Sequence, residues 1–221
     1  NRLEKTEISN KELFNNKLVF LYEKSKYDDS RVRTYLALAM GKTKDSYFGP
    51  YLMDALNTDN DITNRIAAIK SLGMLKYSDS CRLLEKIIKD SNSDAEKLSA
   101  IISLGVIGDQ KYKDVLIEML DYEEPNIRWD AAIALAKMND DSGSFIIENL
   151  LDREYYNQFP ASKDGSGVND EEIDNSIYIA IAVSQKLIDS RFKNKLIYLA
   201  KNDKNIKVRE FALKTLNDYY K

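Results

Sequence analysis

The sequence predicts an all-α protein, a stack of about six helix pairs, from three observations. A basic residue recurs at one register, Arg33, Arg65, Lys97 and Arg128, with spacings of 32, 32 and 31, and returns after a longer gap at Arg209. Each of the first four opens one pattern, as in Arg65-x-x-Ala68-Ile69-x-Ser71-Leu72-Gly73 and Lys97-x-x-Ala100-Ile101-x-Ser103-Leu104-Gly105. Both flanks carry apolar residues at three- and four-residue spacing, the period of an amphipathic helix. A helical unit of about 32 residues cannot bury its apolar face alone, so neighbouring units must stack into a solenoid.

Each unit reads as an outer A helix followed by an inner B helix that carries the basic residue. The A helices are placed at 11–26, 45–57, 79–90, 109–120, 141–151 and 189–202, and the B helices at 30–41, 62–75, 94–107, 125–138, 173–187 and 205–219. Gly41, Gly73 and Gly105 fall where a helix C-terminus favours positive φ. Asp45, Asp109, Asp140 and Asp189 fall where the next helix needs an N-cap. Pro50 is tolerated only in a first turn, so the second A helix starts near Gly49 or bends there.

Asn126-Ile127-Arg128-Trp129-Asp130-Ala131-Ala132-Ile133-Ala134-Leu135-Ala136 and Val208-Arg209-Glu210-Phe211-Ala212-Leu213-Lys214-Thr215-Leu216 carry a family resemblance. They are similar to the Val-Arg-x-x-Ala-x-x-x-Leu inner helix of HEAT repeats, in particular the short phycobilisome-lyase type. The fifth unit departs from it, with Ile177 at the basic position and Ser184 at the leucine position. The resemblance implies a right-handed α-solenoid with inner helices on its concave side. It implies no reaction, because fold does not fix function.

The chain is expected to form one domain over residues 1–221 with an inserted loop at about 153–172. The insertion, of roughly seventeen residues, has an aromatic first half, Tyr155, Tyr156 and Phe159, and a glycine-rich second half. This suggests a docked arm followed by a flexible return.

Composition narrows the function. The 33 basic and 36 acidic residues give a net charge of −3, without the basic excess that binding a phosphate backbone requires, which argues against nucleic acid. No apolar run is long enough to cross a membrane. There is no histidine, which removes the commonest general base, His-dependent triads and HEAT-like hydroxylases with histidine–glutamate metal ligands. Cys81, the only cysteine, makes neither an internal disulfide nor a structural zinc site and reads as a buried small hydrophobe. No G-x-x-x-x-G-K phosphate loop is present, and no cofactor or metal is implied. Asp164, Asp170, Glu171, Glu172 and Asp174 do not fit an EF-hand spacing and read as a solvated acidic loop. The chain begins at Asn1 without an initiator methionine, which points to an upstream segment removed and leaves cytoplasm and periplasm both open. Oligomeric state is open too.

Two charge and side-chain ladders remain. Asp28, Asp59, Asp90, Asp121 and Asp152, each 31 apart, and Asp203 end the A helices and face the basic residues that open the B helices; they are expected to pair across each turn. The positions one and five residues after the basic residue share a helical face that the family normally gives to solvent. Here they include Leu98, Ile102, Trp129, Ile133 and Tyr178. This apolar stripe is either a binding groove or core. On the first reading the chain is a non-enzymatic scaffold for a protein or peptide partner, anchored by Trp129 and Tyr178 and covered in part by Tyr156 and Phe159 of the arm. The alternative is a lyase-like or chaperone-like accessory protein acting on another protein.

Overall fold

The structure, a computed structural model, describes residues 2–27, 30–159 and 168–220. It is all-α. The helices, in chain order, are α1 (Arg2–Lys24), α2 (Ser30–Lys42), α3 (Gly49–Thr58), α4 (Ile62–Leu75), α5 (Cys81–Asp90) and α6 (Asp94–Ile107). They continue with α7 (Lys113–Glu118), α8 (Pro125–Lys137), α9 (Ser144–Leu150), α10 (Asp170–Leu187), α11 (Ser190–Asn202) and α12 (Ile206–Tyr219). Odd-numbered helices are the A helices and even-numbered ones the B helices, so the six predicted pairs are present. The structure differs mainly at ends: α1 starts at Arg2 and not near residue 11, and α10 starts at Asp170, three residues early. The early start of α10 follows from a capping box, in which Asn169 accepts from the backbone N–H groups of Glu171 and Glu172 while the Glu172 carboxylate accepts from Asn169 N–H.

Contacts group the chain into two compact units, Asn1–Val115 and Leu116–Lys221, with the division inside α7. In the first unit α2 packs on α4 and α4 on α6. Its core includes Tyr22, Met40, Phe48, Leu52, Ile69, Leu72, Leu84, Ile88, Ile101 and Leu104, all buried. Side chains of this size each contribute about 1.5–3 kcal/mol on full burial. In the second unit α10 packs between α8 and α12, over Ala131, Leu135, Ile147, Ile177, Ile181, Phe192, Leu196 and Ala212.

The repeated glycine serves close approach and not capping. Gly41, Gly73 and Gly105 all lie inside their helices, and the positive φ expected of them is found later, at Lys44, Lys76 and Gly108. A Cβ on Gly41 would stand 2.8 Å from Ser71 Cα, and one on Gly73 would stand 2.9 Å from Ser103 Cβ. Absence of a side chain lets consecutive B helices touch. The serines across the contact fix the register: Ser71 Oγ donates to the Ala37 carbonyl at 2.8 Å and Ser103 Oγ to the Ile69 carbonyl at 3.0 Å. The aspartate caps stand as expected, with Asp45, Asp109, Asp140 and Asp189 accepting from the backbone N–H two residues on. Pro50 sits in the first turn of α3, which begins at Gly49.

The basic ladder differs from expectation. Its partners are chiefly carbonyls at the end of the preceding A helix: Arg33 donates to Tyr22 O at 2.8 Å, Lys97 to Ile88 O at 2.6 Å, Arg128 to Tyr122 O at 2.8 Å and Arg209 to Asp203 O at 2.6 Å. Unsatisfied carbonyls and the negative end of the helix dipole make this the natural place for a cation. Three carboxylates of the acidic ladder pair outside their own turn. Asp59 pairs with Arg33 of the preceding unit, Asp152 with Lys195 and Asp203 with Arg153. Arg65 pairs with Glu96, one unit on. Asp28 lies outside the described residues. No helix of the described residues is long and apolar enough to cross a membrane.

Candidate functional site

The predicted site residues fall into separate places. Leu98 and Ile102 are on α6 of the first unit, where Leu98 is half-buried and Ile102 is 42% exposed. Trp129, Ile133, Tyr156, Phe159 and Tyr178 all belong to the second unit, and three of them meet. Trp129 is the hub. Its ring centroid lies 5.8 Å from Tyr156 and 5.2 Å from Phe159, both edge-on, and 6.2 Å from Tyr155. Edge-on arrangements suit the negative faces and positive edges of aromatic rings. Trp129 Nε1–H donates to Tyr155 Oη at 3.2 Å, so the indole's one polar group is satisfied.

The arm that carries these rings is a 3-10 helix over Arg153–Gln158, capped by Asp152, which accepts from Glu154 N–H. Two anchors hold it. Tyr156 is buried, donates its hydroxyl to the Leu150 carbonyl at 3.1 Å, and has its phenol pushed well above the ordinary range by burial. Arg153 donates through Nε and Nη2 to both Asp203 oxygens at 2.8 and 2.9 Å, and through Nη2 to Asp174 as well. Val168 N–H donates to the Phe159 carbonyl at 3.0 Å, which ties the end of the arm to the residue before the Asn169 cap of α10. Asp164 and the residues 160–167 around it lie outside the described residues.

At the position one residue after the basic residue, Trp129 is buried, Thr34 and Tyr178 are half-buried and Glu210 is exposed. Thr34 donates its hydroxyl to Asn64 on the next B helix, and Tyr178 packs at a tilt of 34° against Phe211 of the next B helix with centroids 5.9 Å apart. Trp129 and Ile133 are both buried, at 6% and 8% exposure. A phase of one residue separates a solvent face from a repeat–repeat face on a helix, and sequence spacing alone does not resolve it.

Beside Trp129, between the N-terminal halves of α8 and α10, is a cleft of about 510 Å³. Trp129, Phe159, Val168 and Ile179 give its apolar lining, and Asn126, Asn175 and Ser176 supply amides and a hydroxyl. Glu124 and Glu172 are its charged residues. Each carboxylate also caps a helix, Glu124 accepting from Asn126 N–H at 3.4 Å and from Asn126 Nδ2 at 3.0 Å, and Glu172 from Asn169 N–H at 2.9 Å. The sequence reading missed this cleft. Glu124-Pro125-Asn126 read as a helix start and Glu172 as loop charge; the available signal was that both acids stand in or beside the first turn of consecutive B helices flanking the only tryptophan. Two other acids of the loop have partners, Asp170 with Lys204 at 2.6 Å and Asp174 with Arg153 and Asn205.

Two further groups carry chemistry. Cys81 is buried and its thiol is raised to about 11 by burial and then by Asp109, so it is a poor nucleophile. Asp130, next to Trp129 on α8, is raised to about 6 because burial disfavours its charge and Lys137 offsets only part of that.

Comparison with known proteins gives a consistent fold. A profile of HEAT repeats matches residues 20–105 and 88–157, together more than half of the chain. Deoxyhypusine hydroxylase from Candida albicans is 34% identical over 86 residues, which make up 38% of this chain and 27% of that protein. Among solved structures, the complex of CpcE and CpcF of phycocyanin lyase from Nostoc sp. PCC7120 is similar with a TM-score of 0.61 at 17% identity, over 91% of this chain and 74% of that one. An engineered protein is similar with a TM-score of 0.51 at 16% identity, over 92% of this chain and 96% of its own. At such identities the structural likeness concerns the fold alone.

Proposed function

Because the chain belongs to the HEAT-repeat family, we propose that it is a binding scaffold and not an enzyme, and that its second unit takes a peptide or helix of another protein. The observation that supports the reading is the 510 Å³ cleft beside Trp129, part apolar and part polar, at the start of two inner helices. Pockets of this size with an aromatic lining and a few converging polar groups are the usual form of a binding site. Trp129 is the central anchor of this reading, and Tyr178, half-buried on the same helix as Ile179, is the second. Leu98 and the exposed Ile102 offer the first unit its own apolar contact on α6.

Selection of a random peptide library on the intact protein tests this. Peptides that bind are expected to change the emission of Trp129, the only tryptophan. Asn175→Trp, which places a large ring in the cleft from an exposed position, is expected to abolish their capture while leaving the helical signal intact. Failure to enrich any peptide, or enrichment of peptides that ignore Asn175→Trp, would overturn the reading.

A further inference from the structure

We propose that the cleft recognises the guanidinium group of an arginine side chain presented by a partner polypeptide. This rests on the binding reading above and adds the chemistry of the ligand. Both charged residues lining the cleft, Glu124 and Glu172, are acidic, and they come from different helices, one from the cap of α8 and one from the first turn of α10. Each accepts cap hydrogen bonds through one oxygen, Glu124 through Oε1 and Glu172 through Oε2, so each has a second oxygen for a ligand. Nearby cations are already engaged. Arg128 binds the carbonyls of Tyr122 and Glu123, Arg153 binds Asp203 and Asp174, and Lys204 binds Asp170.

Helix N-termini ordinarily favour anions, and two of them border the cleft. Here that preference is outweighed. The partial positive charge of a helix start is equivalent to roughly half a charge, whereas each glutamate carries a full one and already satisfies the orphan N–H groups. What is left is a negative potential over aromatic rings. Trp129 and Phe159 line the same space, and a cation attracted to an aromatic surface is most often arginine, whose planar fork also matches two carboxylates. The exposed Ile179, at 44%, gives an apolar wall on which the arginine stem can lie.

The test uses a short glycine-flanked arginine peptide and the same peptide with citrulline, which keeps the shape and removes the charge. One tryptophan means one indole N–H signal in an NMR spectrum, so Trp129 reports on the cleft by itself. The arginine peptide is expected to shift that signal saturably in the millimolar range, and the citrulline peptide to leave it in place. Glu124→Gln and Glu172→Gln keep the acceptor oxygen each cap needs and so preserve the fold. Each is expected to weaken binding roughly three- to tenfold, as removal of one charge-assisted hydrogen bond should. Equal response to citrulline, unchanged affinity in both glutamine variants, or no saturable shift would overturn the proposal. If library selection returns cleft-binding peptides without arginine, the guanidinium assignment fails and the scaffold reading stands; if it returns none, both fail.

Discussion

Trp129 Nε1–H donates to the hydroxyl of Tyr155 at 3.2 Å, which joins the fourth inner helix to an arm that begins 24 residues later at Arg153. The indole is 6% exposed, with Tyr156 and Phe159 of that arm edge-on against it. Phe159→Ser and Tyr156→Ser are each expected to red-shift Trp129 emission and to raise its quenching by acrylamide. Tyr156→Ser should have the larger effect on stability, since Tyr156 is buried and aromatic-to-small changes in a core cost about 3–5 kcal/mol. Unchanged emission in both variants would show that the arm does not cover the indole in solution.

The close approach at Gly73 gives a second prediction. Gly73→Ala gains about 1 kcal/mol of helix propensity, but it drives a methyl group to 2.9 Å from Ser103 Cβ and 2.6 Å from Ser103 Oγ. Overpacking of this kind costs about 1–3 kcal/mol, and the hydroxyl that must move also loses its bond to Ile69 O. A net loss of about 1–2 kcal/mol is expected by urea titration. A stabilised variant would show that the glycine serves neither packing nor register.

Asp130 makes stability depend on pH with a sign opposite to that of a salt-bridged carboxylate. Its folded value, about 6, lies above its ordinary 3.8, so between the two the folded protein holds a proton the unfolded chain has lost. The contribution of Asp130 is therefore fully present below pH 4 and is lost as pH rises through 6. Asp130→Asn is expected to remove that slope and to raise stability at pH 7 by about 2 kcal/mol. Thermal unfolding of both proteins at pH 4, 5, 6 and 7 checks this. A variant less stable than its parent at pH 7 would mean that the ionised carboxylate is compensated in the folded state.

Much of the fold was legible because a helix pair must repeat its core positions, and Ala68, Leu72, Ala100 and Leu104 mark them at constant spacing. The arm was legible for a different reason: three aromatic residues within five positions, entering a B helix next to the only tryptophan, have few other places to bury. What escaped was orientation. Arg33, Lys97, Arg128 and Arg209 are matched in sequence with the aspartates of their own turns, yet each donates to a carbonyl at the end of the preceding A helix, a group that leaves no trace in a sequence, and Arg33 adds Asp59 of the next unit. Glu124 and Glu172 were obscured in the same way. Both letters mark helix caps in the sequence, and only the structure shows that the two also line one cleft between α8 and α10.

The bond from Val168 N–H to the Phe159 carbonyl has a practical meaning for anyone who wishes to rebuild this protein. The 3.0 Å bond ties the end of the arm to the residue before the Asn169 cap of α10, so these two stems hold each other directly. Doubling the length of a loop between stems held in this way costs only about 0.6 kcal/mol. An epitope, a fluorophore-binding tag or a tether grafted between Phe159 and Val168 is therefore expected to leave the helical signal unchanged.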